Sequence, residues 1–412
     1  MAEIEVPPYF VCPISLEIMK DPVTVSTGMT YDRDSIEKWI FSQNNYTCPV
    51  TKQALSDPEL IPNITLRRLI QSWCTVHASQ DIERLPTPKS PVCKSQILKL
   101  ITDAAAASPQ RQMECLKRLK SIASQNQTNR RSMETVGTAE FLASLIMNKT
   151  LEASRAGVLE DSSELTRVSH ESLSILYSLQ LSESGLKSLN NTELIESLTR
   201  VMQTGSYESR AYAIMLLKSM LEVAEPDQLI HLSPEFFTQL TQILRDQISE
   251  KATKSSLKAL AISCPWGRNR IKAVNAGAVP LLIDLLLDSS DKRASEMILT
   301  VLETLCQIAE GRSELLQHGA GLAIVSKKIL RVSNGASERA VRILHSISKF
   351  SATHKILQEM LQLGVVHKLC LVLQVDCGTK SKDRAREILK LHARAWRNAS
   401  CIPSNLNFSY PN

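Results

Sequence analysis

The sequence predicts two folds in tandem: a small α+β domain at the N-terminus and a long all-α array of stacked helices behind it, so that the chain is mainly α overall. Three observations carry this. At 412 residues the chain is too long for one compact core. Its apolar content is 43% with only 4% aromatics, and Leu, Ile, Val and Ala recur at helical spacing after the first eighty residues. Between the two regions RLPTPKSP sets Pro86, Pro88 and Pro91 in an extended linker that no helix can cross. The expected organisation is a domain over 5–79, a linker over 80–94, an array over 95–400 and a tail over 401–412.

In the first domain VTVSTGMTY, with Gly28 at its turn, reads as a hairpin. Asp32 then stands where it can cap a helix carrying Ile36, Trp39 and Ile40, and Asn63 caps a second whose apolar face is Leu66, Leu69, Ile70 and Trp73. Two loops, around Ile14 and Pro49, flank the first helix and leave a shallow apolar groove. This order of loop, hairpin, helix, loop and helix is that of a RING-type, cross-braced zinc domain.

The zinc chemistry is absent. Two tetrahedral sites need eight Cys/His donors, whereas residues 1–76 hold Cys12, Cys48 and Cys74, no histidine and no CxxC pair. No metal and no organic cofactor is therefore expected. In the ligand positions stand Ser15, Glu17, Asp32, Arg33, Thr47, Thr51 and Asn63, which together with Cys12 and Cys48 can pin two irregular loops by hydrogen bonds and ion pairs. Cys12 as a catalytic nucleophile is disfavoured, since no histidine lies near to activate it and Val11 and Ile14 imply burial.

In the array NAGAVPLLIDLLL at Asn275 recurs as QHGAGLAIVSKKIL and QLGVVHKLCLVL, with Gly277, Gly319 and Gly364 spaced by 42 and 45 residues. TVGTAEFLASLI at Gly137 is an earlier copy, and degenerate junctions near Asn191 and Ser233 fill the interval. A period in the ~40–47 range, with a glycine closing one helix in a left-handed cap, is that of armadillo and HEAT repeats. About six repeats are expected. The polar stretch near 148–170 breaks the period and reads as a loop insertion.

Net charge is +6, with six Lys/Arg against nine Asp/Glu in residues 1–76, so the remainder carries +9. That charge is not interleaved with stacking aromatics, which argues against nucleic-acid binding. Neither a signal-type N-terminus nor an apolar run of ~18 residues is present, so no membrane insertion and a cytoplasmic location are expected, with the ten cysteines reduced. Thr87 and Ser90 each precede a proline in the linker and are candidates for proline-directed phosphorylation. Trp266, in a Pro-Trp-Gly loop, can serve either packing or partner contact.

The pieces CPISLEIMKDPV, YDRDSIEKW, CPVTKQ and IPN-TLRRLIQSW resemble a U-box, and a U-box with armadillo repeats behind it is similar to the plant U-box E3 ubiquitin ligases. CPWGRNR at Cys264, SKKILRVS at Ser326 and LKLHARAW at Leu389 also resemble the subgroup acting in plant immune and stress responses, so the likeness covers essentially the whole chain. It implies a zinc-free, RING-like U-box that docks a ubiquitin-charged E2 enzyme while the armadillo superhelix holds protein substrates. The ligase would contribute proximity, without a covalent ubiquitin intermediate. It places E2-binding on Ile14, Trp39 and Pro49, with Leu16 as a weaker member, and allows homo- or hetero-oligomers through the U-box. Trp39 can instead be core, and Pro49 can merely stiffen its loop. The rival reading is a non-catalytic armadillo scaffold.

Overall fold

The computed structural model describes residues 6–42, 45–55, 60–77, 92–156, 164–375 and 377–396. The chain forms two compact units, one of 1–106 with 117–137 and one of 107–116 with 138–412.

The N-terminal domain starts with a 3₁₀ turn Pro8–Phe10 and the hairpin β1 (Pro22–Thr24) and β2 (Thr30–Asp32), paired antiparallel with Val23 opposite Tyr31. Gly28 takes φ +82° at the hairpin tip, a conformation costly for residues bearing a Cβ. Helix α1 (Arg33–Glu37) follows and passes into a π-helical turn Lys38–Ser42. Strand β3 (Ile61–Pro62) joins the other edge of β1, giving the order β2-β1-β3, and α2 (Ile64–Val76) closes the domain. Met19, Val23, Tyr31, Ile36, Ile40 and Ile70 form the core, with Trp39, Leu66 and Trp73 packed at its margin. Leu69, expected on the inner face of α2, is 52% exposed. The helix is only thirteen residues long and Ile70 and Cys74 already occupy its buried stripe.

The array begins with α3 (Lys94–Ala105) and α4 (Pro109–Gln125). Six triplets of helices follow in sequence: α5 (Gln127–Thr135), α6 (Thr138–Ala156) and α7 (Glu164–Ser178); α8 (Glu183–Leu189), α9 (Thr192–Thr204) and α10 (Tyr207–Glu222); α11 (Pro226–Ile230), α12 (Pro234–Asp246) and α13 (Glu250–Ser263); α14 (Asn269–Asn275), α15 (Ala278–Asp288) and α16 (Lys292–Leu305); α17 (Ala309–Gln317), α18 (Gly321–Lys328) and α19 (Asn334–Phe350); α20 (His354–Gln362), α21 (Val365–Gln374) and α22 (Thr379–Leu391). Gly137, Gly277 and Gly364 have positive φ, as the junction motif requires, whereas Gly319 does not and His318 ends its helix extended. The degenerate junctions use side chains instead: Asn191 accepts the Leu194 N–H at 2.7 Å and Ser233 the Phe236 N–H at 3.3 Å. Of the segment expected as a loop near 148–170, α6 takes up the part to Ala156 and α7 the part from Glu164, while 157–163 lies outside the described residues.

A recurring polar contact fastens the triplets. Asn269 on α14 donates to Ser263 O at 3.0 Å and to Leu229 O at 2.7 Å, and Arg312 on α17 donates to Cys306 O at 3.1 Å. Each satisfies carbonyls that a helix C-terminus leaves open. Lys328 and Lys368 do likewise one repeat back, toward Ser289 O at 3.1 Å and Ser326 O at 2.7 Å, and burial holds both ammonium groups below the usual lysine range. The described cysteines are all free, and six of these nine are buried. Among the described residues no single helix is long and apolar enough to cross a membrane.

Candidate functional site

Two loops of the N-terminal domain share one geometry, and the sequence repeats with it: CPISLE at Cys12 and CPVTKQ at Cys48. In the first, the Cys12 carbonyl accepts the Leu16 N–H at 2.9 Å and the Cys12 N–H donates to Glu17 O at 2.8 Å; a bridge between Val11 and Ile18 closes its base. In the second, Cys48 O accepts the Lys52 N–H at 2.9 Å and the Cys48 N–H donates to Gln53 O at 2.8 Å, above a bridge between Thr47 and Ala54. Leu16 and Lys52 occupy the same place and both adopt left-handed φ, +59° and +61°. A leucine is rarely held so, and the closed hydrogen-bond ring around it sustains the strain.

What pins the first loop is chiefly Asp32. Its Oδ1 accepts the backbone N–H of Lys20 at 2.8 Å and of Asp21 at 3.0 Å, while its own N–H reaches Cys12 Sγ at 3.3 Å. The carboxylate therefore does not cap α1, as expected from sequence, because it is already committed to the loop. Arg33 is buried and its Nε donates to Asp21 Oδ2 at 2.6 Å, with Glu37 3.8 Å from its Nη1; Arg67 approaches Asp21 at 3.6 Å. Asn63 caps α2 through the Leu66 N–H at 3.1 Å and reaches Thr30 Oγ1 at 3.5 Å.

The second loop hangs on Tyr31 and Trp39. The Tyr31 hydroxyl lies 2.9 Å from Cys48 Sγ and accepts the Val50 N–H at 3.3 Å. Trp39 Nε1–H donates to Thr47 O at 2.8 Å, and Lys52 Nζ stands 5.9 Å over its ring. Burial pushes the Cys48 thiol up, but hydrogen bonds from Thr27, Thr51 and Tyr31 outweigh it and bring the thiol down to about 6. Burial likewise raises Cys12, and backbone hydrogen bonds at Ser15, Asp32 and Ile14 outweigh it. Both sulfurs are inaccessible and serve as hydrogen-bond anchors for their loops.

Of the expected pinning set, Cys12, Asp32, Arg33, Cys48 and Asn63 act through side chains in the structure. Thr51 makes a weak contact, its Oγ1 3.5 Å from Gln53 N, and Thr47 acts through its carbonyl. Ser15 and Glu17 are exposed; Ser15 hydrogen-bonds Cys12 Sγ through its side chain and backbone, and Glu17 contributes its carbonyl. Asp21, Tyr31, Glu37 and Lys52 were missed. Tyr31 was available from the inward position of its strand, and Lys52 from the repeat of the two CP loops. Glu37 was not, because its partners are ninety residues away: Gln127 N–H donates to its Oε2 at 3.1 Å and the Thr128 hydroxyl to its Oε1, at the start of α5. Burial raises the Glu37 carboxyl despite these donors.

The outward side of the loops sets apolar side chains among exposed polar ones. Leu16 is 77% and Val50 49% exposed, Pro49 and Trp39 are half-buried, and Ile14 rests against the domain core with part of its side chain open. Trp39 is thus tied to the Pro49 loop while Ile14 and Leu16 lie on the matching loop. Thr87 and Ser90 lie outside the described residues. Among the described residues no three His, Cys, Asp or Glu side chains gather as metal ligands.

Asp32 yields a direct test. Asp32→Ala strands two loop N–H groups and should cost about 2 kcal/mol in urea unfolding of the full chain, whereas Asp32→Asn keeps an acceptor and should cost less than half of that. Burial raises the Asp32 carboxyl, so its ionised form is penalised in the folded state and the penalty is relieved as pH falls through the folded value. Wild type should therefore gain on Asp32→Asn as pH is lowered. Equal losses in the two variants would remove Asp32 from the pinning role.

Comparison with known proteins agrees with this geometry. A family model described as the U-box domain matches residues 6–79, and one described as the plant U-box protein ARM repeat region matches 96–412. The Arabidopsis thaliana E3 ubiquitin-protein ligases PUB22 and PUB23 are each 56% identical to the chain, over 99% of it and 99% and 98% of their own lengths. A solved structure concerning a phosphorylation switch in the interaction between cadherin and beta-catenin superposes with TM-score 0.57 at 15% identity, covering 82% of this chain and 58% of the other; it supports the repeat fold. The two matched regions correspond to the domain of the pinned loops and to the helical array behind it, and the chain belongs to the plant U-box proteins with an armadillo repeat region.

Proposed function

We propose that the chain is an E3 ubiquitin ligase of the RING-like, non-covalent kind. The observation that carries it is the pair of matched loops, pinned from within and presenting Leu16 and Val50 outward beside Ile14, Trp39 and Pro49. Such a surface suits a small, exchangeable complex with an E2 enzyme. In the reaction the amine of a substrate lysine attacks the thioester carbonyl between ubiquitin and the E2 cysteine, an isopeptide bond forms and the E2 thiol leaves. The ligase forms no bond and acts by positioning. The armadillo array holds the protein substrate. A cytoplasmic location and a role in plant immune or stress signalling complete the proposal; stress responses of plants lacking the protein test that role.

The test is a reaction of purified protein with E1, a panel of E2 enzymes, ubiquitin and ATP. A ubiquitin ladder is expected, reduced about tenfold by Ile14→Ala. Leu16→Ala, at a residue too exposed to support the fold, should reduce it severalfold, and Cys12→Ala should still transfer ubiquitin if it folds. No ladder with any E2 would leave a non-catalytic scaffold as the function. A ladder untouched by both Ile14→Ala and Leu16→Ala would refute the docking surface.

A further inference from the structure

We propose that the groove lined by α10, α13 and α16 docks an acidic, extended segment of a partner protein. The proposal rests on the substrate-holding role given above to the repeats and names the chemistry they would recognise. On α13, Lys251, Lys254, Ser255 and Lys258 fall at i, i+3, i+4 and i+7, a single stripe along one helix face. Lys218 of α10 flanks the stripe on one side and Arg293 of α16 on the other, around a groove of ≈ 440 Å³. Tyr177, Met215 and Met297 supply its apolar lining, and no carboxylate lines it.

The charge here is only partly compensated. Lys218 pairs with Glu222 at 2.6 Å and Lys254 with Glu250 at 2.5 Å, both along their own helices. Lys251, Lys258 and Arg293 are exposed and make no ion pair among the described residues. The same face further along the array is built differently. There Arg339 and Arg342 share Glu303 at 2.6 and 3.1 Å, Arg342 and Arg384 share Glu338 at 2.6 and 3.7 Å, and His345 meets Glu387 at 2.9 Å. Like charges one helical turn apart disfavour the helix that carries them. Lys254 and Lys258 are held so in the free protein, and an anionic ligand would relieve the repulsion.

Geometry also restricts the ligand. Packed helices lie ~8–10 Å apart, and an extended chain advances ~3.3 Å per residue. A segment crossing the three helices would therefore present one carboxylate to each if Asp or Glu recurs about every third residue, with intervening apolar side chains over Met215 and Met297.

A fluorescein-labelled peptide DLSDLSDLSD, titrated by anisotropy against the full chain, is the test, with KLSKLSKLSK as its counterpart. The acidic peptide should bind and the basic one should not. Lys251→Glu/Lys258→Glu should weaken the acidic peptide at least tenfold, while Lys355→Glu, exposed on α20, should leave it unchanged. Undiminished affinity in the double variant, equal loss in Lys355→Glu, or duplex DNA binding as tightly as the peptide would overturn the proposal. The E2-dependent ladder should persist in Lys251→Glu/Lys258→Glu. A missing ladder in wild type would sink the ligase reading without touching peptide binding, and absent peptide binding beside an intact ladder would sink the groove alone.

Discussion

Asp21→Ala is expected to lower the unfolding free energy of the chain by about 3 kcal/mol, the lower end of the range for breaking a buried ion pair. Arg33 is only 4% exposed and its Nε–Asp21 contact of 2.6 Å is its closest charged partner. Without Asp21 the guanidinium would depend on Glu37, 3.8 Å away and already engaged with Gln127 and Thr128. The loss should fall on the first loop and on α1 together, since Arg33 starts that helix and its N–H donates to Asp21 O at 3.0 Å. Urea unfolding followed by tryptophan fluorescence measures the cost. Asp21→Ala/Arg33→Met should recover part of it, because the buried guanidinium is gone and Glu37 keeps its hydrogen bonds from Gln127 and Thr128. A cost under about 1 kcal/mol, or a double variant weaker than the single, would show that this pair does not hold the loop.

Trp396→Ala should cost about 3–5 kcal/mol, as truncation of a fully buried aromatic does. The side chain is 1% exposed, its Nε1–H donates to Leu357 O on α20 at 3.2 Å, and its ring meets His392 edge-on with centroids 5.5 Å apart. It closes the last triplet by joining the chain after α22 to α20. Because stacked repeats couple chiefly to their neighbours, hydrogen exchange should show protection lost in α20, α21 and α22 and kept in α8 to α10. Trp396→Phe should recover most of the packing and lose the hydrogen bond. Uniform loss of protection through the second unit, or none in α20 to α22, would contradict the view that Trp396 acts as a local clasp.

Much of this was legible in the residues. The helical array follows from apolar periodicity and the Gly277, Gly319 and Gly364 junctions, although Gly319 turned out not to need left-handed backbone. Asn63 could be read as a cap because capping is local, its acceptor and donor three residues apart. Asp32 looked the same and was not, since its carboxylate found Lys20 and Asp21, twelve and eleven residues earlier. In the segment near 148–170 the broken period marks an interrupted repeat without saying how far α6 and α7 extend into it from either side.

By itself, then, the sequence determined the absence of zinc donors in the first domain, the two CP loops, the repeat period and the uneven charge, all of which depend on residue type and spacing. Only the tertiary structure decided which polar groups replace the metal and which lysines are left unpaired. Asp21 with Arg33, Tyr31 with Cys48, and Glu37 with the start of α5 are contacts between segments 12, 17 and about 90 residues apart. Burial and pairing at such separations are properties of packing, which no local pattern encodes.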